Sequence, residues 1–397
     1  MLGFLTPLLV DHFSRGDPDR AGRAYAVNVL GSIVGPLFSG FWILPWLGDH
    51  WGLVALSVPF FGIGLLTALC PEPGPPVHRA SLQNRILFAV VVLLSVPLMT
   101  IPKGPEKLFP QRVELRDYTA TVLAAGEGMN KILLVNGLGM TILTPTTKFM
   151  AHLPLAFLDK PPQNGLVICF GMGTTFRSML SWGIESTAVD LVPSVPKLFG
   201  YYRRDGPELL KSPLAHVVAD DGRRFLERST EKYDVITLDP PPPVSTPTTG
   251  LLFSREFYRI VSRHLRPGGI VQVWVYVADT RWDRGFPAAA AKALRESFPY
   301  TRAFVSIDGW GFHLLASNDP IPVRDARALA SRMPPRAAAD FVEWGPAPNA
   351  EGMLGVIVGQ EVEVGRIAAL SPRVPPIQDD QPINEYYFLR KRFGYYR

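Results

Sequence analysis

Three stretches near the start of the chain are long and almost free of charge: residues 24–47 (AYAVNVLGSIVGPLFSGFWILPWL), 51–70 (WGLVALSVPFFGIGLLTALC) and 86–101 (ILFAVVVLLSVPLMTI). A helix needs about 20 apolar residues to cross a bilayer, with a range near 17–25. The first two reach that length and the third falls just short. Residues 1–101 are therefore expected to form a membrane segment of about three spans. Residues 1–10 (MLGFLTPLLV) read as the tail of a further span, so the chain is expected to continue upstream. A signal peptide fits poorly, because no basic region precedes the first apolar run and several apolar segments follow one another. Gly31 and Gly35, with Ser32 and Ser39 nearby, are small residues of the kind that let helices approach closely in lipid. No ionisable residue stands in the middle of a span, where a transport pathway usually shows itself.

Charge gives two topologies. If all three stretches cross, Arg15, Arg20, Arg23, Arg79 and Arg85 share one side. The positive-inside rule makes that side cytoplasmic and puts the remaining chain outside. If residues 86–101 lie only at the interface, the remainder returns to the cytoplasm, a placement that Lys103, Lys107 and Arg112 favour. The expectation is a multi-pass protein of the inner or cell membrane, with its large domain cytoplasmic and the lipid bilayer as a partner.

The whole chain is 47% hydrophobic and only 19% charged, against about 25% charged in ordinary soluble proteins. Its net charge of +5, from 40 basic and 35 acidic residues, is too mild to imply nucleic acid, and no basic stripe carries interleaved aromatics. Cys70 and Cys169 have no metal-ligand spacing and make no disulfide framework. No metal is expected.

From about residue 109 the pattern changes. RVELRDYTATVLAA and KILLVNGLGMTIL alternate as strands do, with Asn136-Gly137 as a tight-turn signal. They predict a small β-rich subdomain over residues 109–158, closed by the breaker cluster LDKPPQNG. Strands and helices then alternate, which is the signature of a largely parallel, Rossmann-like α/β sheet. LVICF, STAVDL, HVVA, VITL and PGGIVQVWVY read as its successive strands, and residues 302–307 and 312–317 as the last two. This sheet is placed in residues 159–320, with residues 321–397 as a C-terminal extension packed on it. Ligands of such sheets bind beyond the carboxyl ends of the strands, and Asp190, Asp221 and Asp239 all fall there.

Each loop has a chemistry. Gly171 and Gly173, followed by Thr174, let backbone approach a ligand at the start of a helix, although Phe176 stands where a GxGxxG motif has its third glycine. Asp190 lies about 20 residues on, where an acid can accept both ribose hydroxyls. It is also a natural strand-end turn residue. Asp221-Gly222 can receive an adenine amino group or cap the helix RRFLERS, and the two roles are compatible. A pyrophosphate needs the glycine-rich turn that is depleted here. A nucleoside without phosphates, such as S-adenosylmethionine or a relative, is favoured over NAD. The run LDPPPP at residues 238–243 joins a buried strand to a helix of the same sheet, so it reads as a stiff active-site loop rather than a spacer.

With YDVITLD, LLFSREFY and LRPGGIVQ as anchors, residues 118–317 resemble the spermidine synthase family of aminopropyltransferases, a branch of the class I S-adenosylmethionine-dependent methyltransferase-like fold. The apolar front, with GRAYAVNVLGSIVG, and the tail IQDDQPINEYYFLR resemble the family's membrane-fused form. The resemblance implies decarboxylated S-adenosylmethionine, or S-adenosylmethionine, as co-substrate. It implies Asp239 as the proton-accepting aspartate, Asp190 on the ribose and Asp221 on the adenine. It also implies Tyr118, Tyr276 and Asp279 near the acceptor, and it is compatible with a homodimer. The amine must be neutral to attack, so a carboxylate must take its proton.

The departures fall on the amine half. Met172 stands at the position of the acid that holds the aminopropyl group, and Pro242 at that of the second acid of a DxxDP motif. The family's Tyr-Gln reads Tyr118-Thr119. Its Tyr-His-Glu helix start reads Thr146-Thr147-Lys148, five residues before His152, and a further glutamine becomes Met140. Asp279, Asp379, Asp380 and Glu385 are candidate replacement acids. Three functions follow: a membrane-anchored aminopropyltransferase acting on a small-molecule amine or a membrane-associated acceptor, an amino-group methyltransferase in which Asp239-Pro-Pro stands for a DPPY-type loop, or a non-catalytic nucleoside sensor.

Overall fold

The computed structural model describes residues 2–69, 89, 90, 92, 93, 95, 109–241, 247–277, 284–383 and 392–394. The chain divides into two compact units, residues 1–107 with 116–118, and residues 108–115 with 119–397.

The first unit is helical. Helices run over Leu2–Ser14, Pro18–Phe38 and Leu44–Leu69, the last two joined through a π-helical turn at Ser39–Ile43. Asp17 caps the second helix by accepting from the Asp19 N–H at 2.9 Å, and Pro18 takes the first position, where a missing N–H costs nothing. The Ser32 and Ser39 hydroxyls donate to the carbonyls four residues back, each at 2.8 Å, so neither presents an unpaired polar group. A Cβ placed on Gly31 or Gly35 would meet nothing within 4 Å, so both positions are open within this chain.

Among the described residues one helix, Pro18–Gly48, is long and apolar enough to cross a membrane, with 31 residues and a mean hydropathy of 1.7 over its most apolar 18-residue stretch. It contains the first expected span. The second does not reach the same standard, because the backbone breaks at Gly48 (φ 70°, ψ 179°) and the apolar run beyond it, His50–Gly62, is short. Most of residues 86–101, and Cys70, lie outside the described residues. By length and composition the described residues hold one candidate span, and the multi-pass arrangement is not supported.

The second unit holds two sheets. The smaller comprises β1 (Arg112–Arg116), β2 (Thr121–Ala125), β3 (Ile132–Val135) and β4 (Leu138–Ile142) in sequential order. Asn136 and Gly137, at φ 51° and 77°, make the β3–β4 turn. Two successive positive φ values are what a tight hairpin needs, and Asn-Gly tolerates them best. The segment 145–157 is not part of this β-rich piece. It is a helix, capped by Thr144 with Pro145 in first position, and buried on nearly every side.

The larger sheet contains β5 (Asn164–Ile168), β6 (Glu185–Asp190), β7 (Ala215–Ala219), β8 (Tyr233–Leu238), β9 (Leu265–Tyr276), β10 (Tyr300–Val305), β11 (Gly311–Ser317) and β12 (Glu361–Val362). Its order is β12-β10-β11-β9-β8-β5-β6-β7. Strands β5 to β9 are parallel, and β10, β11 and β12 run antiparallel to their neighbours. The chain leaves β5 toward β6 on one side and returns to β8 on the other. The β5/β8 boundary is therefore the switch point where a crevice opens.

Both faces of this sheet are covered, as parallel sheets require. Alternate residues feed two cores: Val167, Val235 and Ile270 on one face, Leu166, Ile168, Ile236, Leu238 and Val271 on the other. The helix Arg255–Arg263 shows how local sequence selects its face. Ser254 caps it by accepting from the Phe257 N–H at 3.2 Å, and Phe257, Tyr258, Ile260 and Val261 are the residues it buries. That spacing makes one apolar stripe. Residues beyond 320 enter both cores, through Phe341, Met353, Leu354 and Ile357 on one face and Val364, Ile367 and Ile377 on the other. The two-residue strand β12 then extends the sheet edge at β10.

Candidate active site

The carboxyl ends of the parallel strands open into a cavity of about 890 Å³. Asp190, Asp221 and Asp239 all line it, together with Gly171, Gly222 and Tyr276. Strand register places them. The Asp239 N–H continues the β5–β8 ladder to the Ile168 carbonyl at 3.0 Å, and the Cys169 N–H reaches the Val189 carbonyl at 2.9 Å. The three acids end β6, β7 and β8 and so converge on one rim.

Asp239 differs from the other two. Its one described side-chain partner is the Thr175 hydroxyl, which donates at 3.4 Å. Burial pushes its carboxyl up to about 7, and the Thr175 hydrogen bond pulls weakly the other way. A carboxyl with this affinity can take a proton near neutral pH and release it again. The single Thr175 hydroxyl proton is shared with the Thr147 carbonyl, the nearer acceptor at 3.0 Å, so the Pro145–Phe157 helix and Asp239 meet at one hydroxyl.

Asp190 is held by backbone. One oxygen accepts from the Phe170 N–H at 2.8 Å and the other from the Val192 N–H at 2.9 Å. Asp221 caps the helix Gly222–Arg228 by accepting from the Arg224 N–H at 2.9 Å while it lines the cavity. Gly222 must be small, since a Cβ there would sit 2.4 Å from Ile168 Cγ2.

The glycine turn divides. Gly171, at φ 55°, lines the cavity. Gly173 and Thr174 do not line it. Gly173, at φ 76°, faces aromatic packing, and a Cβ would come within 2.5 Å of the Phe199 ring. It serves the close approach of the turn to Phe199 and Phe170, and Thr174 is buried behind it. Gly173→Ala is expected to destabilise the protein by more than ~1 kcal/mol, since it combines a left-handed backbone with a steric clash. A lowered Tm in a thermal melt, with weaker nucleoside binding, checks this.

Tyr118 is 67% exposed and belongs to the first compact unit. Asp279, Pro242, Pro243 and Glu385 lie outside the described residues. Asp379 is committed elsewhere: Arg223 grips it with two bonds of 2.8 and 2.7 Å, and Ser254 donates at 2.7 Å. The Arg223 bonds hold its carboxyl below the usual range. Asp380 is exposed and does not line the cavity. Met172 is buried and Met140 lines the wall.

Lys148 and His152 belong to a buried ionic cluster. Lys148, fully buried, donates to the Asp340 carbonyl at 2.6 Å and to Glu343 at 2.8 Å. Arg177 donates to Glu343 at 2.6 Å and lies 3.2 Å from Asp340. Trp182 donates to His152 Nδ1 at 2.9 Å, which leaves Nε2 to carry the proton toward Asp340, also at 2.9 Å. Burial keeps His152 neutral. Burial alone would raise the Asp340 carboxyl, but His152, Lys148 and Arg177 outweigh it and hold the carboxyl far below the usual range.

Some wall residues escape a reading by sequence. Asp308 accepts from the Thr144 hydroxyl and, at 2.8 Å, from the Thr146 hydroxyl. Trp274 and Tyr276 alternate along β9, so they share a face, with ring centroids 5.6 Å apart. Trp310 completes this aromatic side. Cys169 lines the cavity at φ 74°, a rare backbone for a residue with a Cβ, and burial pushes its thiol well up. Among the described residues no three His, Cys, Asp or Glu side chains group to hold a metal.

Residues 144–284 match the spermine/spermidine synthase domain. Polyamine aminopropyltransferase 2 of Pseudomonas aeruginosa is 30% identical over 173 residues, which cover 42% of this chain and 49% of that protein. A polyamine aminopropyltransferase of Corynebacterium efficiens is 27% identical over 342 residues, covering 79% and 64%. The chain thus spans less than two thirds of the length of either relative. A crystal structure of spermidine synthase with the transition-state analogue AdoDATO superposes with a TM-score of 0.52 at 19% identity, over 65% of this chain and 88% of that one. The Thermotoga maritima spermidine synthase gives 0.50 at 19% identity, over 65% and 87%. These two solved structures establish the fold. Over residues 144–284, within its Rossmann-like sheet, the chain is similar to the spermine/spermidine synthase domain.

Proposed function

We propose that this protein is a membrane-attached aminopropyltransferase that uses decarboxylated S-adenosylmethionine, or a closely related sulfonium nucleoside, to alkylate an amine. The observation that carries this reading is Asp239. It is a carboxyl raised to about 7 by burial, in the same cavity as the two acids placed for a nucleoside. In the step proposed, the neutral amine nitrogen attacks the aminopropyl carbon bonded to sulfur. The C–S bond breaks, its electron pair returns to sulfur, and methylthioadenosine leaves. The proton shed by nitrogen goes to Asp239. Asp190 and Asp221 would hold ribose and adenine and take no part in the bond changes. The membrane attachment rests on the helix Pro18–Gly48.

The choice of a decarboxylated donor rests on charge. Arg223 is the one basic side chain among the described lining residues, and Asp379 and Glu227 already engage it. A donor carboxylate would find no free cation and would be costly to bury. Incubation with the decarboxylated donor and an amine panel should release methylthioadenosine. A parallel incubation with S-adenosylmethionine that releases S-adenosylhomocysteine would instead support methyl transfer. Tight binding without turnover, unchanged in Asp239→Asn, would support a sensor.

Thr175→Val tests how Asp239 is tuned. The Thr175 bond lowers the Asp239 carboxyl, so its loss should move the pH midpoint of kcat/KM toward alkaline values. A pH–rate profile of the variant against the parent measures the shift.

A further inference from the structure

We infer that the acceptor is a monoamine with an apolar body, a ring or an alkyl chain, rather than a diamine. This rests on the aminopropyl-transfer reading and refines it. Away from Asp190 and Asp221, Asp239 is the one carboxylate among the described residues that line the cavity. The walls around it are apolar: Pro240 and Pro241 after β8, Leu251 and Leu252 beyond them, Met140 and Ile142 on β4, and the rings of Trp274, Tyr276 and Trp310.

The threonine hydroxyls in this part are already used. The hydroxyl protons of the five lining threonines all turn into the protein. Thr144 and Thr146 donate to Asp308, Thr147 to the Thr144 carbonyl, Thr249 to the Pro241 carbonyl and Thr141 to the Ile142 carbonyl. Asp308 itself does not line the cavity. A diamine would set one nitrogen at Asp239 and leave its second ammonium against hydrocarbon and rings, where an unpaired charge is costly. An apolar body is recovered from water by the same walls.

Among the described lining residues one buried polar side-chain atom is left over. The Trp274 indole N–H is buried and has no hydrogen-bond partner among the described residues. Buried donors are normally paired, and this one belongs to a wall residue. An acceptor whose apolar body carries a hydroxyl, ether or carbonyl oxygen would satisfy it. Tyramine, an aromatic monoamine with a hydroxyl, therefore suits the wall better than a plain alkylamine.

The test uses the detergent-solubilised full chain, decarboxylated S-adenosylmethionine, and three acceptors: tyramine, n-octylamine and putrescine. Methylthioadenosine release is measured for each. The inference expects kcat/KM at least tenfold higher for tyramine and octylamine than for putrescine. It also expects Met140→Glu, which returns a carboxylate to the wall, to shift that ratio at least tenfold toward putrescine. Putrescine equal to or better than the monoamines in the parent protein overturns the inference while aminopropyl transfer stands. That result, joined with a raised putrescine KM in Asp308→Asn, would identify Asp308 as the second acid. No methylthioadenosine with any acceptor, from protein shown by calorimetry to bind the donor, removes the aminopropyl reading and this inference with it.

Discussion

Asp239→Asn is expected to lower methylthioadenosine release by about 10²- to 10⁴-fold, the range for a lost general base, while donor binding measured by calorimetry changes little. The parent should show kcat/KM rising with pH through about 7, because Asp239 must be ionised to accept the proton. The sign for stability is opposite. The carboxyl is raised on folding, so the native state favours the protonated form. Stability from this group is complete below the unfolded carboxylate value near pH 4 and is lost as pH rises toward 7. At pH 8 the amide, which carries no charge, should therefore be more stable than the parent by up to a few kcal/mol. Urea unfolding at pH 5 and pH 8 separates the two: the gain should appear at pH 8 and shrink at pH 5. Equal stability at both values, with full activity, would remove Asp239 from the role of base.

The second large effect is expected at Asp340. Its carboxylate faces Lys148, Arg177, His152 and Ser178 around a site almost closed to water. Deleting one partner of a buried pair typically costs about 3–5 kcal/mol, because the other charge stays buried. Asp340→Ala should fall in that range, read by denaturant unfolding with tryptophan fluorescence. Trp182 and Trp344 sit within the cluster and report on it directly. The pH dependence follows from the depressed carboxyls of Asp340 and Glu343. Their contribution is fully present above the unfolded carboxylate values, near pH 4, and is lost as pH falls below them. The parent should lose stability steeply in acid, and Asp340→Ala should lose less. Lysine methylation would leave Lys148 unmodified in the parent and reach it in the variant.

Local pattern carried the architecture a long way. YDVITLD and LRPGGIVQVWVY have the apolar runs of buried parallel strands, and strands β8 and β9 lie there. Asp190, Asp221 and Asp239 were legible because strand ends are marked by local composition, and the structure brings them to one cavity. What could not be read was long-range. The partner of Lys148 lies 192 residues away and that of Arg223 156 residues away. Nothing near either residue announces these pairs. Asp379 looked like a free acid for the same reason. β12 is two residues long and has no periodicity to detect; it exists because β10 offers an open edge. The first long apolar helix was visible from composition. The break at Gly48 was not, since a lone glycine in an apolar run reads equally well as helix.

The ionic cluster also sets a timetable for making the protein. Lys148 leaves the ribosome 192 residues before Asp340. At about 5–20 residues per second that is a wait of roughly 10–40 s. During that interval the helix Pro145–Phe157 cannot bury its lysine without leaving the charge uncompensated. The strands it covers stay partly open beside whatever apolar chain has already emerged. Translation therefore passes through a long-lived half-built sheet, and the last turn of helix before Val342 is the event that closes it.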